Sequence, residues 1–240
     1  MATVILARHG RSTANTGGIL AGRSKGVHLD DDGAAQARAM GERLTGLPLA
    51  AVVTSPLERC RETVRGVLAG HAADVGVPVH REKGLLECDY GAWTGREIKA
   101  LAKEPLWRTV QTHPSAAVFP EGESLAAMSA RGVEAVRRWD RRVEDEHGAD
   151  AVWVAVSHGD LIKAVLADAL GLHLDEFQRI MVDPGSFSVV RYTPHRAVIL
   201  TMNSAAGSFT HLAPPPRQRK RRARASDGDG VVGGSTGTRS

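Results

Sequence analysis

Hydrophobic positions in this chain fall into short unbroken runs separated by stretches with helical spacing. Residues 3–7, 49–54 and 151–157 are apolar runs of strand length. Each is followed by a segment whose apolar residues recur every three to four positions, over residues 32–44, 57–68 and 160–170. The acidic run Asp30-Asp31-Asp32 offers an N-cap and favourable charge for the first of these helices. Pro120-Glu121-Gly122-Glu123-Ser124 opens a longer helix reaching about residue 146. Two late strands, 186–192 and 197–203, flank a turn near Pro194. Strands without polar alternation, alternating with helices, predict an α/β domain whose parallel sheet is covered on both faces.

Two stretches break the rhythm. Residues 105–120 carry Trp107, His113, Pro114 and Phe119 with no sustained period, and read as a long loop, either a lid or a surface excursion. From residue 213 the composition changes to Pro214-Pro215-Pro216, an arginine-rich run and a Gly/Ser/Thr stretch. Such a tail cannot bury a core, so the domain is placed at 1–212 and a disordered tail at 213–240. Gly228-Asp229-Gly230-Val231-Val232-Gly233 matches GxGxxG formally, but no strand precedes it and no helix follows.

Charge follows the same division. The tail holds seven Lys/Arg and two Asp, which leaves 24 basic and 25 acidic side chains in residues 1–212. The folded part therefore has no broad basic field for nucleic acid, and any such partner would belong to the tail alone. Two cysteines, Cys60 and Cys88, make neither a disulfide framework nor a CxxC pair. No apolar run is long enough to span a bilayer, and the first residues lack the pattern of a secretory signal. The expected setting is a reduced cytoplasm, with no membrane partner. Oligomeric state is open.

Candidate chemistry gathers at three strand ends. The first gives Arg8, His9, Gly10, Ser12 and Asn15; the second gives Ser55 and then Arg59; the third gives Ser157, His158 and Gly159. Parallel strands put these ends on one edge of the sheet, where open α/β sheets bind ligands. Arginine forks suit phosphate oxygens, and a neutral imidazole can take a phosphoryl group covalently. Arg8 and Arg59 are the first candidates for holding phosphate, with Arg23 a third on the loop after the first strand. A leaving alkoxide needs a proton. Glu87 and Asp89, in a segment with Tyr90 and Trp93, are the carboxyl candidates, with Glu123 a further alternative.

The segments Arg8-His9-Gly10-Arg11-Ser12-Thr13-Ala14-Asn15, Ser55 through Thr63, Glu87 through Gly95, Gly122-Glu123-Ser124 and Ser157-His158-Gly159, in that order, resemble the histidine phosphatase superfamily, also called phosphoglycerate mutase-like. Within it the chain most resembles an actinobacterial branch often labelled as phosphomutases. The resemblance covers roughly residues 2–203. It implies a three-layer α/β/α sandwich with a mostly parallel sheet, and a phosphohistidine mechanism needing no metal or other cofactor. His9 would be the nucleophile, Glu87 the acid and base, and Arg8, Arg59 and His158 the phosphate pocket, with Asn15 and Ser12 as further contacts. Arg11 stands where the family often has an acidic residue, and would add positive charge at the pocket mouth. The acid-donor stretch lacks the His-Tyr-Gly pattern and longer insertions of glycolytic mutases, which favours hydrolysis of a small phosphorylated metabolite over mutase activity. The competing expectations are a phosphomutase on the same site, and a binding protein that senses a phosphorylated ligand or nucleic acid without turnover.

Overall fold

The computed structural model describes residues 2–71, 76–205 and Gly233. Strand β1 (Thr3–Arg8) is buried along its whole length because it lies inside the sheet. After it come α1 (Thr13–Thr16), α2 (Asp31–Arg43), β2 (Leu49–Thr54), α3 (Glu58–Gly70), the short β3 (Val79–Arg81), α4 (Ile98–Leu101) and α5 (Pro105–Thr112). The long α6 (Leu125–His147), β4 (Val152–Ser157), α7 (Gly159–Ala169), β5 (Phe187–Tyr192) and β6 (Ala197–Ser204) complete the order.

The six strands form one sheet in the order β3-β2-β4-β1-β5-β6. β1 pairs parallel with β4, and β2 pairs parallel with both β4 and β3. β5 is antiparallel to β1 and to β6, so it alone among the described strands runs against the rest. Period-two geometry divides the core. Val4, Leu6, Val53, Trp153 and Ala155 face a layer that includes α6 and α7. Ile5, Ala7, Val52, Val154 and Val156 face α2 and α3. The sheet covered on both faces that the apolar runs predict is thus present, and with β5 reversed it is the mostly parallel three-layer α/β/α sandwich that the resemblance implies. Among the described residues no helix is long and apolar enough to cross a membrane.

Local capping sets where the helices start. Asp30 caps α2 by accepting from the Gly33 amide at 2.8 Å, and Ser124 caps α6 by accepting from the Ala127 amide at 3.0 Å. Glycine is required where α2 meets the loop after β1: a side chain at Gly10 would run into the Gly33 backbone, and one at Gly33 into Arg11.

The stretch 105–120 differs from the expected loop. Residues Pro105–Thr112 form α5, with Pro105 in the first turn, where proline's fixed φ is tolerated. A 3-10 turn, Pro114–Ala116, follows, and Val118 bridges to Ser124. Trp107 stacks on Trp93 with centroids 6.1 Å apart, and buried Phe119 packs edge-on to Tyr90 at 5.0 Å. The segment is fastened by aromatic contacts among neighbouring turns. Two turns of helix are too few to establish a period in the sequence, which is why it reads as loop.

Candidate active site

Register brings the strand ends together. Arg8 lies opposite Ser157 across the β1–β4 pair, and the His9 amide donates to the Ser157 carbonyl at 3.0 Å. The Ser55 amide donates to Val156 at 2.9 Å, which sets the end of β2 beside that of β4. His9 and His158, 149 positions apart in sequence numbering, stand with ring centroids 5.2 Å apart at 64°.

Arginine fixes the tautomers of both rings, because it only donates. Arg59 Nε donates to His9 Nε2 at 3.2 Å, so that nitrogen carries a lone pair. The proton sits on Nδ1, which donates to the Gly10 carbonyl at 2.7 Å. Arg59 Nη2 donates to His158 Nδ1 at 3.1 Å and to the Gly22 carbonyl at 2.7 Å. His158 Nε2 therefore bears its hydrogen and donates to Ser55 Oγ at 2.8 Å. Burial, reinforced by Arg59, pulls both imidazoles well below their ordinary value, so both are neutral at physiological pH. Burial likewise lowers Arg8 to about 10, which leaves it charged at neutral pH.

Arg8 and Arg59 are both buried, and each retains a buried nitrogen with no acceptor among the described residues, Nε of Arg8 and Nη1 of Arg59. Unpaired buried donors are costly, and a phosphoryl oxygen is the kind of acceptor that would satisfy them. Arg8, His9, Ser12, Asn15, Arg59 and Glu87 line one pocket, together with the apolar Ile19, Leu20, Ala21 and Ile98. Ser12 caps α1 and donates through its hydroxyl to Asn15 Oδ1 at 2.8 Å, which holds the Asn15 amide in place. His158 supports the pocket from behind Arg59 and is completely buried.

Glu87 is buried, and its Oε1 accepts from the Cys88 amide at 3.0 Å. Burial, with the charge of Asp160 second, raises its pKa to about 7, against the opposing pull of the Cys88 amide, Arg59 and Arg8. A carboxyl poised there can give and take a proton near neutral pH. The alternative donors are spoken for: Glu123 pairs with Arg131 at 2.6 Å and Arg23 at 2.8 Å, and Asp89 lies 3.4 Å from Arg23.

Two predicted cations sit away from the pocket lining. Arg23 is held by the Glu87 carbonyl at 3.0 Å and by those acidic side chains, so its fork faces the acid-bearing segment. Arg11 is paired with Asp30 at 2.7 Å and also with Asp32, so its charge is neutralised at the start of α2. The stretch 105–120 contributes no lining residue. Cys60 and Cys88 are buried free thiols; burial raises Cys60 to about 12.

Other supports escaped sequence reasoning. Thr63 Oγ1 accepts from the Gly10 amide at 3.1 Å and donates to the Arg59 carbonyl at 2.8 Å, tying two site segments together. Arg131, from α6, donates to the Gly84, Leu86 and Glu87 carbonyls at 2.9, 2.7 and 3.0 Å. Asp160 accepts from Tyr90 OH at 2.7 Å. Only Thr63, inside the segment that carries Arg59, had a local signal. Gly233 also lines the pocket, its amide donating to Asp160 at 2.9 Å and its carbonyl accepting from Arg8 at 3.1 Å. The rest of the expected tail, and of the GxGxxG match, lies outside the described residues. No group of three or more His, Cys, Asp or Glu among the described residues is gathered to hold a metal ion.

The model of the histidine phosphatase superfamily (branch 1) matches residues 4–205. The chain belongs to this superfamily and is an enzyme of its phosphatase and phosphoglycerate mutase-like type. It is 30% identical over 209 residues to phosphoserine phosphatase 1 of Hydrogenobacter thermophilus, covering 85% of this chain and 92% of that protein. It is also 30% identical over 191 residues to 2,3-bisphosphoglycerate-dependent phosphoglycerate mutase 2 of Gloeobacter violaceus, covering 76% and 82%. Among solved structures, the alpha-ribazole phosphatase of Shigella flexneri superposes with a TM-score of 0.71 at 26% identity, covering 86% of this chain and 98% of that one.

Proposed function

We propose that the protein is a metal-independent phosphatase that hydrolyses small phosphomonoesters through a phosphohistidine at His9. The reading is carried by one conjunction: an unprotonated His9 Nε2 shares a pocket with two buried arginines, each having a donor left over. Arg8 and Arg59 hold the phosphoryl oxygens, with Asn15 and the Ser12 cap shaping the near wall. His9 Nε2 attacks phosphorus, the P–O bond to the alcohol breaks, and Glu87 gives its proton to the departing oxygen. Water then attacks the phosphohistidine, Glu87 takes the proton of that water, the P–N bond breaks and inorganic phosphate leaves. His158 keeps Arg59 aligned while charge shifts between attacking and leaving atoms. A cytosolic setting accords with the two buried free thiols.

A second reading, phosphomutase action on the same site, has the support of the mutase relative; there the phosphoryl group returns from His9 to another oxygen of the substrate. One experiment addresses both. A monoester labelled in its phosphoryl group is mixed with enzyme and quenched within milliseconds. The wild type should yield an acid-labile adduct on His9 and then free phosphate. His9→Ala should form no adduct and lose on the order of 10⁴-fold or more in kcat while staying folded. Isomerised ester without phosphate release would favour the mutase; an unlabelled His9 during turnover would refute both.

A further inference from the structure

Asp160 is the buried acid for which the reaction above has no use. It is the second residue of α7, two positions after His158, and is completely buried. Its Oδ2 accepts from Tyr90 OH at 2.7 Å and from the Gly233 amide at 2.9 Å, and its Oδ1 lies 3.4 Å from Lys163 Nζ. Both oxygens thus face donors, the arrangement of an ionised carboxylate. Lys163, itself buried, is held further by Gln178 at 2.8 Å and by the Phe177 ring at 5.3 Å. A buried charge with this much support is costly to build. Solubility cannot explain it, because none of it reaches the surface.

Its placement suggests a use. Tyr90 belongs to the segment that carries Glu87 and itself lines the pocket. The Tyr90–Asp160 bond therefore fastens the proton-donor segment to the helix that follows His158. We propose that Asp160 is a positioning residue for the reaction: through Tyr90 it clamps the acid-bearing segment onto α7, and its negative charge keeps the proton on Glu87 until the leaving oxygen needs it. This deepens the phosphatase reading and rests on it.

Several other charged and titratable groups act on Glu87. Arg8 reaches it from β1 and Arg59 from α3, and both favour its ionised form. Arg23 and Arg131 bind its main-chain carbonyl, with Glu123 between them. Cys88 and Tyr90 flank it along the chain, and burial raises both. His9 and His158 stand nearby but are neutral. Against two arginines, Asp160 supplies the negative charge that works with burial to retain the proton. Removing that charge favours ionisation of Glu87, so the acid is lost at lower pH.

The test compares kcat across pH 5–9 for an alkyl phosphate, which needs a protonated leaving group, and an aryl phosphate, which needs it much less. Asp160→Asn keeps an acceptor for Tyr90 and deletes the charge. Its alkaline limb with the alkyl ester should move about one unit lower. At pH 7.5 alkyl turnover should fall roughly 5- to 10-fold while aryl turnover stays within about 2-fold. Lys163→Met deletes the opposing charge and should move the limb upward; it tests the same idea with the opposite sign if Asp160→Asn folds poorly. Tyr90→Phe keeps the charge and loosens the clamp, so alkyl kcat should drop with the limb in place. Limbs that stay fixed in Asp160→Asn and Lys163→Met overturn the charge role. Equal losses on both esters in Asp160→Asn would mean a merely structural residue. Loss of alkyl turnover as complete as in Glu87→Gln would make Asp160 the acid itself. If the wild type releases phosphate from neither ester, the phosphatase reading has failed before this one is reached.

Discussion

The two halves of the site are built differently. The proposed phosphate cradle grows out of the sheet: His9, Ser55 and His158 each follow directly from a central strand, and backbone pairing between β1, β4 and β2 sets their separation. The half that carries Glu87 lies between β3 and α4, in 3-10 turns and extended chain. Nothing in a sheet register fixes it. Side chains from distant elements do so instead: Arg131 from α6, Arg23 from the loop after α1, Asp160 from α7 and Ser157 Oγ, which donates to the Leu85 carbonyl at 2.8 Å. Phosphoryl transfer needs a cradle that does not move, and strand ends supply one. The proton donor must stay protonated through one half-reaction and ionised through the other. A segment held by adjustable polar ties lets its surroundings set that balance.

If the halves are separable, damage to the second should appear only where a proton is needed. The largest such effect belongs to Glu87→Gln. Turnover of an alkyl phosphate should fall about 10²- to 10³-fold, and that of an aryl phosphate by less than about 10-fold, measured as kcat on matched esters. In the wild type the same logic fixes the pH profile. Glu87 is an acid only below its pKa of about 7, so alkyl turnover declines as pH rises through that value. His9 is held neutral well below the ordinary imidazole range, so its own protonation limits the rate only at lower pH. Equal losses on the two esters in Glu87→Gln would move the acid elsewhere.

Next comes the strongest of the ties. The Arg131 guanidinium spends its nitrogens on three carbonyls of the acid-bearing segment and on Glu123. Arg131→Met keeps the stem and deletes the fork. We expect about 2 kcal/mol of lost stability by thermal or denaturant unfolding, since hydrogen bonds to a charged group are removed from partly buried acceptors. Alkyl kcat should fall roughly 10-fold as Glu87 loses its position, with aryl kcat close to normal. A parallel collapse on both esters would show that the cradle leans on this arginine too, and the contrast drawn above would fail.

The same contrast explains what could be read from the chain. Arg8-His9-Gly10, Arg59 and His158-Gly159 stood out because local patterns betray strand ends: an apolar run stops, polar residues appear, and a helix begins. Parallel pairing then does the rest. Glu87 was legible only as a carboxylate amid aromatics in a segment resembling a family motif. What positions it was not legible, because Arg131, Tyr90–Asp160 and Ser157 act across 44 to 72 residues with no period linking them. Residues 105–120 were hidden for another reason, since α5 has only two turns of its own and is held through the stacking of Trp107 on Trp93. Arg23 shows the hazard of inferring a partner from charge alone. A loop arginine near a predicted phosphate site is a fair candidate for binding it, yet nearby carboxylates compete for the same fork.

Arg23 consequently offers the finest discrimination. If it held phosphate, Arg23→Met would raise KM for every ester, by about 10-fold or more for a lost charge-assisted contact. Its observed partners are the Glu87 carbonyl, Asp89 and Glu123, all on the acid-bearing side. We therefore expect KM within about 2-fold of normal and alkyl kcat down only about 2- to 3-fold, because Arg131 continues to hold Glu123 and the Glu87 carbonyl. The double variant sharpens the point. With Arg131→Met in place, Glu87 has lost its other guanidinium tie, so the same Arg23 substitution should cost more than it does alone. Such a non-additive loss marks two residues serving one segment. A KM effect of equal size in both backgrounds would instead return Arg23 to the phosphate.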